Sequence, residues 1–566
     1  MTSTLPSEDS GTSAAGESSS LLERNEAGEM DVVSGTTTSS SSQMKGSIFC
    51  RPACSWTVAA IFAVLAILLM VHAIVTSPLV RLGTCPDDDH PSVVLFIGDG
   101  FGPQMTSLVR LFFNPEVKGD EPFTALNMPE SQCQLTFTQT RSASSYVTDS
   151  AASGTALATG YKTTNYYLGV RLDPRDPKYA EEAVPVGNVL EAAKMEGYVT
   201  GVVVTSAVTH ATPGAFTAHV EDRQQSQLIA LQQATLQKDY IDLFIGGGRV
   251  DFENTTRDDG RDLVGEMRKN GYSVAYTKEE LMKVDKLPLL SLLGSEHLPY
   301  KIDRDNTEEA HALPSLQECV EKAIKLMRAT GKPFFLMVEG SKIDFAAHTN
   351  DLATAVYEAK DYLDALNSTI TDAVKHGDTI VMATSDHDTG GLSINKGVNM
   401  DLLHKISASS EFMSSVMEEG NLTNEIIKGT IEKYTTIDNI TDEEAEEIRN
   451  AESRPNIISE IVSERLSVKW GAHDHTDTNV MLYSCFGGWK RSEACKFKEE
   501  VTNWFPVFND NTDIPKFISN HSHTSLSKAT ERAVKVFTGH TTPTRQVRTA
   551  PVMDSIDKAY HTKDNM

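Results

Sequence analysis

Ser92–Gly100 reads SVVLFIGDG, an apolar, β-prone run that ends in a Gly-Asp-Gly turn carrying Asp99. The same arrangement recurs along the chain. VTGVVVT (Val199–Thr205) runs into His210-Ala211-Thr212, PFFLMV (Pro333–Val338) into Glu339 and then Asp344, and TIVMAT (Thr379–Thr384) into Asp386-His387-Asp388. DLFI and NVMLYS are further strand candidates. Amphipathic helical sequence lies between the strands. In Leu352–Lys375, for example, Leu352, Val356, Ala359, Leu363, Leu366 and Ile370 fall at helical spacing. Strands alternating with helices predict an α/β fold with a large, mostly parallel central sheet flanked by helices. From about 395 to 468 this rhythm weakens into charged, helix-prone sequence, read as a small inserted subdomain. In an open α/β sheet, ligands bind outside the carboxyl ends of the strands. Here four strands deliver Asp, Glu or His to that edge.

A second stretch, VTDSAASGTALATG (Val147–Gly160), reads as a turn entering a helix of small residues. It presents Ser150 at a helix N-terminus, where free amides and the positive dipole end favour an incoming anion. A serine hydroxyl is a poor nucleophile until something activates it. Asp and His at strand ends suit zinc, and Glu, Thr and Asp oxygens suit magnesium. Asp344 and His348 share one face of a helical turn through their i, i+4 spacing.

The 566 residues carry a formal net charge of −27 with no long basic run, which argues against a nucleic-acid partner. Residues 1–55 are rich in Ser, Thr, Gly and Glu and read as a disordered tail. Trp56–Val75 is apolar, free of Asp, Glu, Lys and Arg, and long enough to span a bilayer. Lys45 and Arg51 on its N-terminal side place the tail in the cytosol, giving a single-pass type II protein with most of its mass on the far side. Residues 76–91 then form an acidic stalk, 92–540 the main domain, and 541–566 a loose polar tail. Five Asn-x-Ser/Thr acceptors (Asn254, Asn367, Asn421, Asn439 and Asn520) lie beyond the apolar run and none before it. Cys485 and Cys495 bracket a Gly-Gly turn and are candidates for a short disulfide loop. In the tail, Glu17 ahead of Leu21-Leu22 resembles a dileucine sorting signal read by clathrin adaptors.

Taken in order and spacing, Asp99-Gly100, Asp149-Ser150-Ala-Ala-Ser-Gly-Thr-Ala, His210-Ala-Thr212-Pro, Glu339, Ile343-Asp344, His348, Asp386-His387 and His475 resemble alkaline phosphatase. The resemblance covers roughly 92–486, and with the type II topology it is strongest to the vacuolar enzymes of fungi. It implies phosphomonoester hydrolysis through a phosphoserine at Ser150, with two zinc ions and one magnesium. One zinc would be held by Asp344, His348 and His475. The other would be held by Asp99, Asp386, His387 and Ser150, and the magnesium by Asp99, Thr212 and Glu339. Arg223 would grip two phosphoryl oxygens. The resemblance also implies a homodimer and a vacuolar or lysosome-like membrane, with the plasma membrane's outer face as the alternative. Three departures stand out: His210 where bacterial members carry Asp near the magnesium, Phe345 where relatives often have Lys or His, and Thr476-Asp477-Thr478-Asn479 after His475 where the family usually has Gly and Asp. His473 is a competing ligand, but His475 fits the register better. Other readings are a phosphodiesterase or sulfatase relative, and a membrane receptor that binds phosphoesters on the same fold without turnover.

Overall fold

The computed structural model describes residues 90–113, 133–306, 312–417, 422–487, 491–538 and 540. The N-terminal segment 1–55, the apolar run Trp56–Val75, residues 76–89 and the segment 541–566 lie outside these residues. Among the described residues, no helix is long and apolar enough to cross a membrane.

The strands in chain order are β1 Ser92–Gly98, β2 Cys133–Gln139, β3 Val170–Arg171, β4 Val184–Pro185, β5 Val199–Ala207, β6 Leu243–Gly247, β7 Ser273–Ala275, β8 Leu289–Leu292, β9 Phe334–Gly340, β10 Thr379–Ser385, β11 Asp388–Thr389, β12 His475–Thr476, β13 Val480–Phe486 and β14 Phe508–Asp510. Ten of them form one sheet in the order β14-β2-β13-β10-β1-β9-β5-β6-β8-β7. Every neighbouring pair is parallel except the two made by β13, which runs against β10 and β2.

The unbroken apolarity of SVVLFI has a direct cause. β1 is central, and its alternate residues enter different cores. Val94 and Phe96 pack on one face of the sheet with the helices Leu316–Arg328 and Leu352–His376. Val93, Leu95 and Ile97 pack on the other face with the helices Val189–Met195, Ser226–Thr235 and Asp513–His521. All six residues of the helical stripe Leu352 to Ile370 are buried in the first core. Between 395 and 468 the described residues form helices, among them Ser410–Met417, Asn424–Thr435, Asp442–Asn450 and Arg454–Leu466.

One sequence expectation is overturned. Cys485 is bonded to Cys133, not to Cys495. The two cysteines lie directly opposite each other on β13 and β2. The pairing of two strands distant in sequence brings them together, which proximity along the chain does not reveal. Of the five glycosylation acceptors, Asn254, Asn439 and Asn520 are exposed, Asn367 is half-buried within the helix Leu352–His376, and Asn421 lies outside the described residues.

Candidate active site

Four adjacent parallel strands, in the order β10-β1-β9-β5, supply the site from their carboxyl ends. Asp99 follows β1, Glu339 lies at the end of β9, Asp386 and His387 follow β10, and the β5 connection leads to His210 and Thr212. The helix Lys342–His348 follows β9 and carries Asp344 and His348 on one side. His475 arrives from far along the chain. The two-residue ladder of β11 and β12 sets Thr389 against His475, so the His387 and His475 rings stack with centroids 3.5 Å apart.

Ser150 is the first residue of the helix Ser150–Thr159 and is buried. Asp149 caps that helix by accepting from the Ala152 amide at 2.9 Å. The small residues around Ser150 have a steric role. A Cβ on Gly154 would stand 3.3 Å from both Thr212 Cα and Ala215 Cβ, on the neighbouring helix Ala211–Thr217. Gly100 is more constrained still. Its φ is +67°, and a Cβ there would lie 2.8 Å from Asp344 Cα.

The Ser150 hydroxyl lies 3.1 Å from His387 Nε2. The same nitrogen is 3.2 Å from Asp386 Oδ2 and 3.4 Å from Asp99 Oδ1. Asp344 accepts from Thr389 Oγ1 at 2.5 Å, and its two oxygens stand 3.4 Å and 3.6 Å from His348 Nε2 and His475 Nε2. The second nitrogens of these imidazoles are held: His475 Nδ1 faces the Thr148 carbonyl at 2.9 Å, and His348 Nδ1 faces that of His473. His473 itself bonds the His348 carbonyl and Glu460 and stands outside the group. Arg223 is buried, and its Nη1 donates to Asp149 Oδ2 at 3.2 Å. Tyr166, at φ +76°, links the two, since its amide donates to Asp149 Oδ2 and its carbonyl accepts from the Arg223 amide.

Three sets of donor atoms are close enough to hold a cation: Asp344 with His348 and His475, Asp99 with Asp344 and His387, and Asp99 with His210 and Glu339. Asp99 belongs to two of them. It is fully buried, and among the described residues neither of its oxygens accepts a hydrogen bond. A buried carboxylate in that state is costly unless a cation balances it. The donor chemistry, carboxylate with imidazole, therefore fits metal ions. His210 is the residue the sequence reading treated as a departure and left out of the ligand set. Its imidazole falls within ligand reach of Asp99 and Glu339, and its edge meets the Phe345 ring with centroids 5.3 Å apart. The signal was present in the sequence, as a histidine directly after a central strand.

The electrostatics show the same crowding. Burial, then the charges of Asp386, Asp344 and Glu339, push the Asp99 carboxyl well above its usual range. Burial opposes ionisation of Asp344 too, but His348, His475 and His387 hold it well below that range. Burial pushes Glu339 up to about 7. A carboxyl raised in the folded state stabilises fully below its unfolded pKa of about 4.3 and loses that contribution as pH rises through the folded value. In metal-free protein, Glu339→Gln should therefore flatten a fall in Tm between about pH 4.5 and 7, read by calorimetry of both proteins in chelator.

Residues 91–524 match the family model described as alkaline phosphatase. The chain belongs to the alkaline phosphatase family. It is 31% identical over 532 residues to a repressible alkaline phosphatase of Saccharomyces cerevisiae, covering 84% of this chain and 88% of that protein. It is 34% identical over 409 residues to alkaline phosphatase 4 of Bacillus subtilis, covering 69% and 83%. Among solved structures, it matches a cold-active alkaline phosphatase from a psychrophilic Shewanella at TM-score 0.62 and 30% identity, covering 76% and 99%. The alkaline phosphatase of Thermus thermophilus matches at TM-score 0.66 and 25% identity, covering 78% and 94%. As an alkaline phosphatase family member the chain is an enzyme, a phosphatase with a metal-binding site.

Proposed function

We propose that this enzyme hydrolyses phosphomonoesters through a phosphoserine at Ser150, with two zinc ions and one magnesium. The observation that carries the reading is the convergence of Ser150 Oγ, Asp99 and Asp386 on one nitrogen of His387. Asp344, His348 and His475 would hold one zinc, and Asp99, Asp386 and His387 the other beside Ser150. Asp344 also lies within reach of this second set, between the two. Asp99, Thr212 and Glu339 would hold magnesium, and His210 joins that group. Bound there, the ions stabilise developing negative charge and lower the pKa of nearby hydroxyls.

The chain's own groups do the remaining work. Ser150 Oγ, having released its proton to solvent, attacks phosphorus in line, forming a P–O bond as the bond to the alcohol oxygen breaks. The alcohol oxygen leaves and takes up a proton from solvent. Arg223, its guanidinium steadied by Asp149, holds two non-bridging phosphoryl oxygens. Water then attacks the phosphoserine from the opposite side, releasing phosphate and restoring the hydroxyl. The purified full chain should hydrolyse p-nitrophenyl phosphate, lose that activity in chelator, and regain it when zinc and magnesium return together. Full activity in chelator would end the metal-dependent reading.

We further propose a type II anchor at Trp56–Val75, a lumenal vacuolar location and a homodimer. The disulfide Cys133–Cys485 supports an oxidising compartment. For sorting through Glu17, Leu21 and Leu22, replacing both leucines by Ala should redirect a tagged protein. Unchanged localisation removes the motif.

A further inference from the structure

Ser153 sits one helical turn beyond Ser150, and its hydroxyl donates to the Asp386 carbonyl at 2.8 Å. That bond ties the helix bearing Ser150 directly to the peptide joining Asp386 and His387. A serine hydroxyl has a single proton to donate. Ser153 gives that proton to the Asp386 carbonyl, which can only accept, while Asn511 Nδ2 donates to Ser153 Oγ at 2.9 Å and so offers the proton no competing acceptor. The orientation of the Asn511 amide is set in turn from its other end, where Lys162 Nζ donates to Asn511 Oδ1 at 2.6 Å. Ser153, Asn511 and Asp386 are all buried, so water does not substitute for these three members. Asn511 comes from the turn between β14 and the helix Asp513–His521, and its own amide donates to the Gln139 carbonyl at the end of β2.

We infer that Asn511 is a positioning residue for the phosphatase reaction, orienting the Ser153 hydroxyl so that Ser150 and the Asp386–His387 ligand pair are held in one geometry. The inference rests on the assignment of Asp386 and His387 to the cation site beside Ser150. Its physical content is a direction of hydrogen bonding that passes from Lys162 through Asn511 and Ser153 to the Asp386 carbonyl. Lys162 lines a cavity of about 450 Å³ at the C-terminal end of the Ser150–Thr159 helix, together with Arg171, Asp173 and Lys516. It pairs with Asp510 at 3.1 Å. Burial, with smaller contributions from Arg141 and Arg175, brings its pKa down to about 8 against the pull of Asp510.

Asn511→Asp separates positioning from mere support. The substitution preserves shape, and the new carboxylate still accepts from Lys162. It cannot donate to Ser153, so the Ser153 proton turns toward residue 511 and the Asp386 carbonyl loses its donor. The expected result is a Tm within a few degrees of wild type, kcat lowered about tenfold with a smaller change in KM, and faster loss of zinc to a chelator. In metal-free protein, amide exchange across residues 384–389 should accelerate. Ser153→Ala should reproduce these effects in an already Ala-rich helix, and the double variant should be no worse than Ser153→Ala alone, since the two residues act in series. If Asn511→Asp fails to fold, Ser153→Ala decides by the same measurements. Wild-type kcat, zinc retention and exchange in the folded variants would overturn the inference. A fully active His387→Ala would instead remove the ligand assignment on which it rests.

Discussion

Ser150→Ala should lower p-nitrophenyl phosphate hydrolysis at least ~10³-fold while leaving bound zinc and magnesium close to wild-type content. The magnitude follows from what the substitution removes. Ser150 Oγ stands 3.1 Å from His387 Nε2, where the carboxylates of Asp99 and Asp386 also converge, and among the described residues no other hydroxyl bonds that nitrogen. Removing Oγ leaves those carboxylates and imidazoles intact, so metal affinity should suffer far less than turnover. Wild-type protein quenched in acid during turnover should carry phosphate on Ser150, located by mass spectrometry of the digest. Phosphate on another residue would move the nucleophile. Loss of metals in parallel with activity would make Ser150 chiefly a ligand.

The second large effect concerns the division of ligands. His387→Ala should strip the cation beside Ser150 and reduce activity ~10³-fold or more, because its imidazole is the group on which Ser150, Asp99 and Asp386 meet. It should also expose the crowding of acids, since burial and neighbouring charge already push Asp99 upward and His387 is a close positive partner of Asp386 and Asp344. Glu339→Ala should act elsewhere. Its carboxylate accepts from Ser341 at 2.6 Å and groups with Asp99 and His210, away from His348 and His475. Magnesium should fall first, with zinc largely retained and a milder loss of activity. Metal analysis of both dialysed variants, beside their rate–pH profiles, checks this. Equal zinc loss in the two variants would refute the division.

The sequence by itself determined the α/β class, and it named most of the residues that the structure brings together in the candidate site. Strands buried on both faces must be continuously apolar, so β1, β5, β9 and β10 announce themselves, and the polar residues directly after them stand out as the sheet's carboxyl edge. Asp344 and His348 were legible together because helical spacing is local. β2 and β14 were not legible, since CQLTFTQ and FND carry too little apolar signal, and neither was the reversed direction of β13. Long-range pairing decided the rest. The choice of His475 over His473 depends on the β11–β12 register, which stacks one imidazole on His387 and turns the other toward Glu460. Cys133 meets Cys485 only because β2 and β13 are neighbours. His210 reaches Asp99 and Glu339, and Asn511 reaches Ser153, through the order in which strands and helices pack. Spacing along a chain encodes contacts within a turn or a strand. Contacts between segments hundreds of residues apart depend on which strands become neighbours, and burial of both sheet faces selects that order for the whole molecule at once.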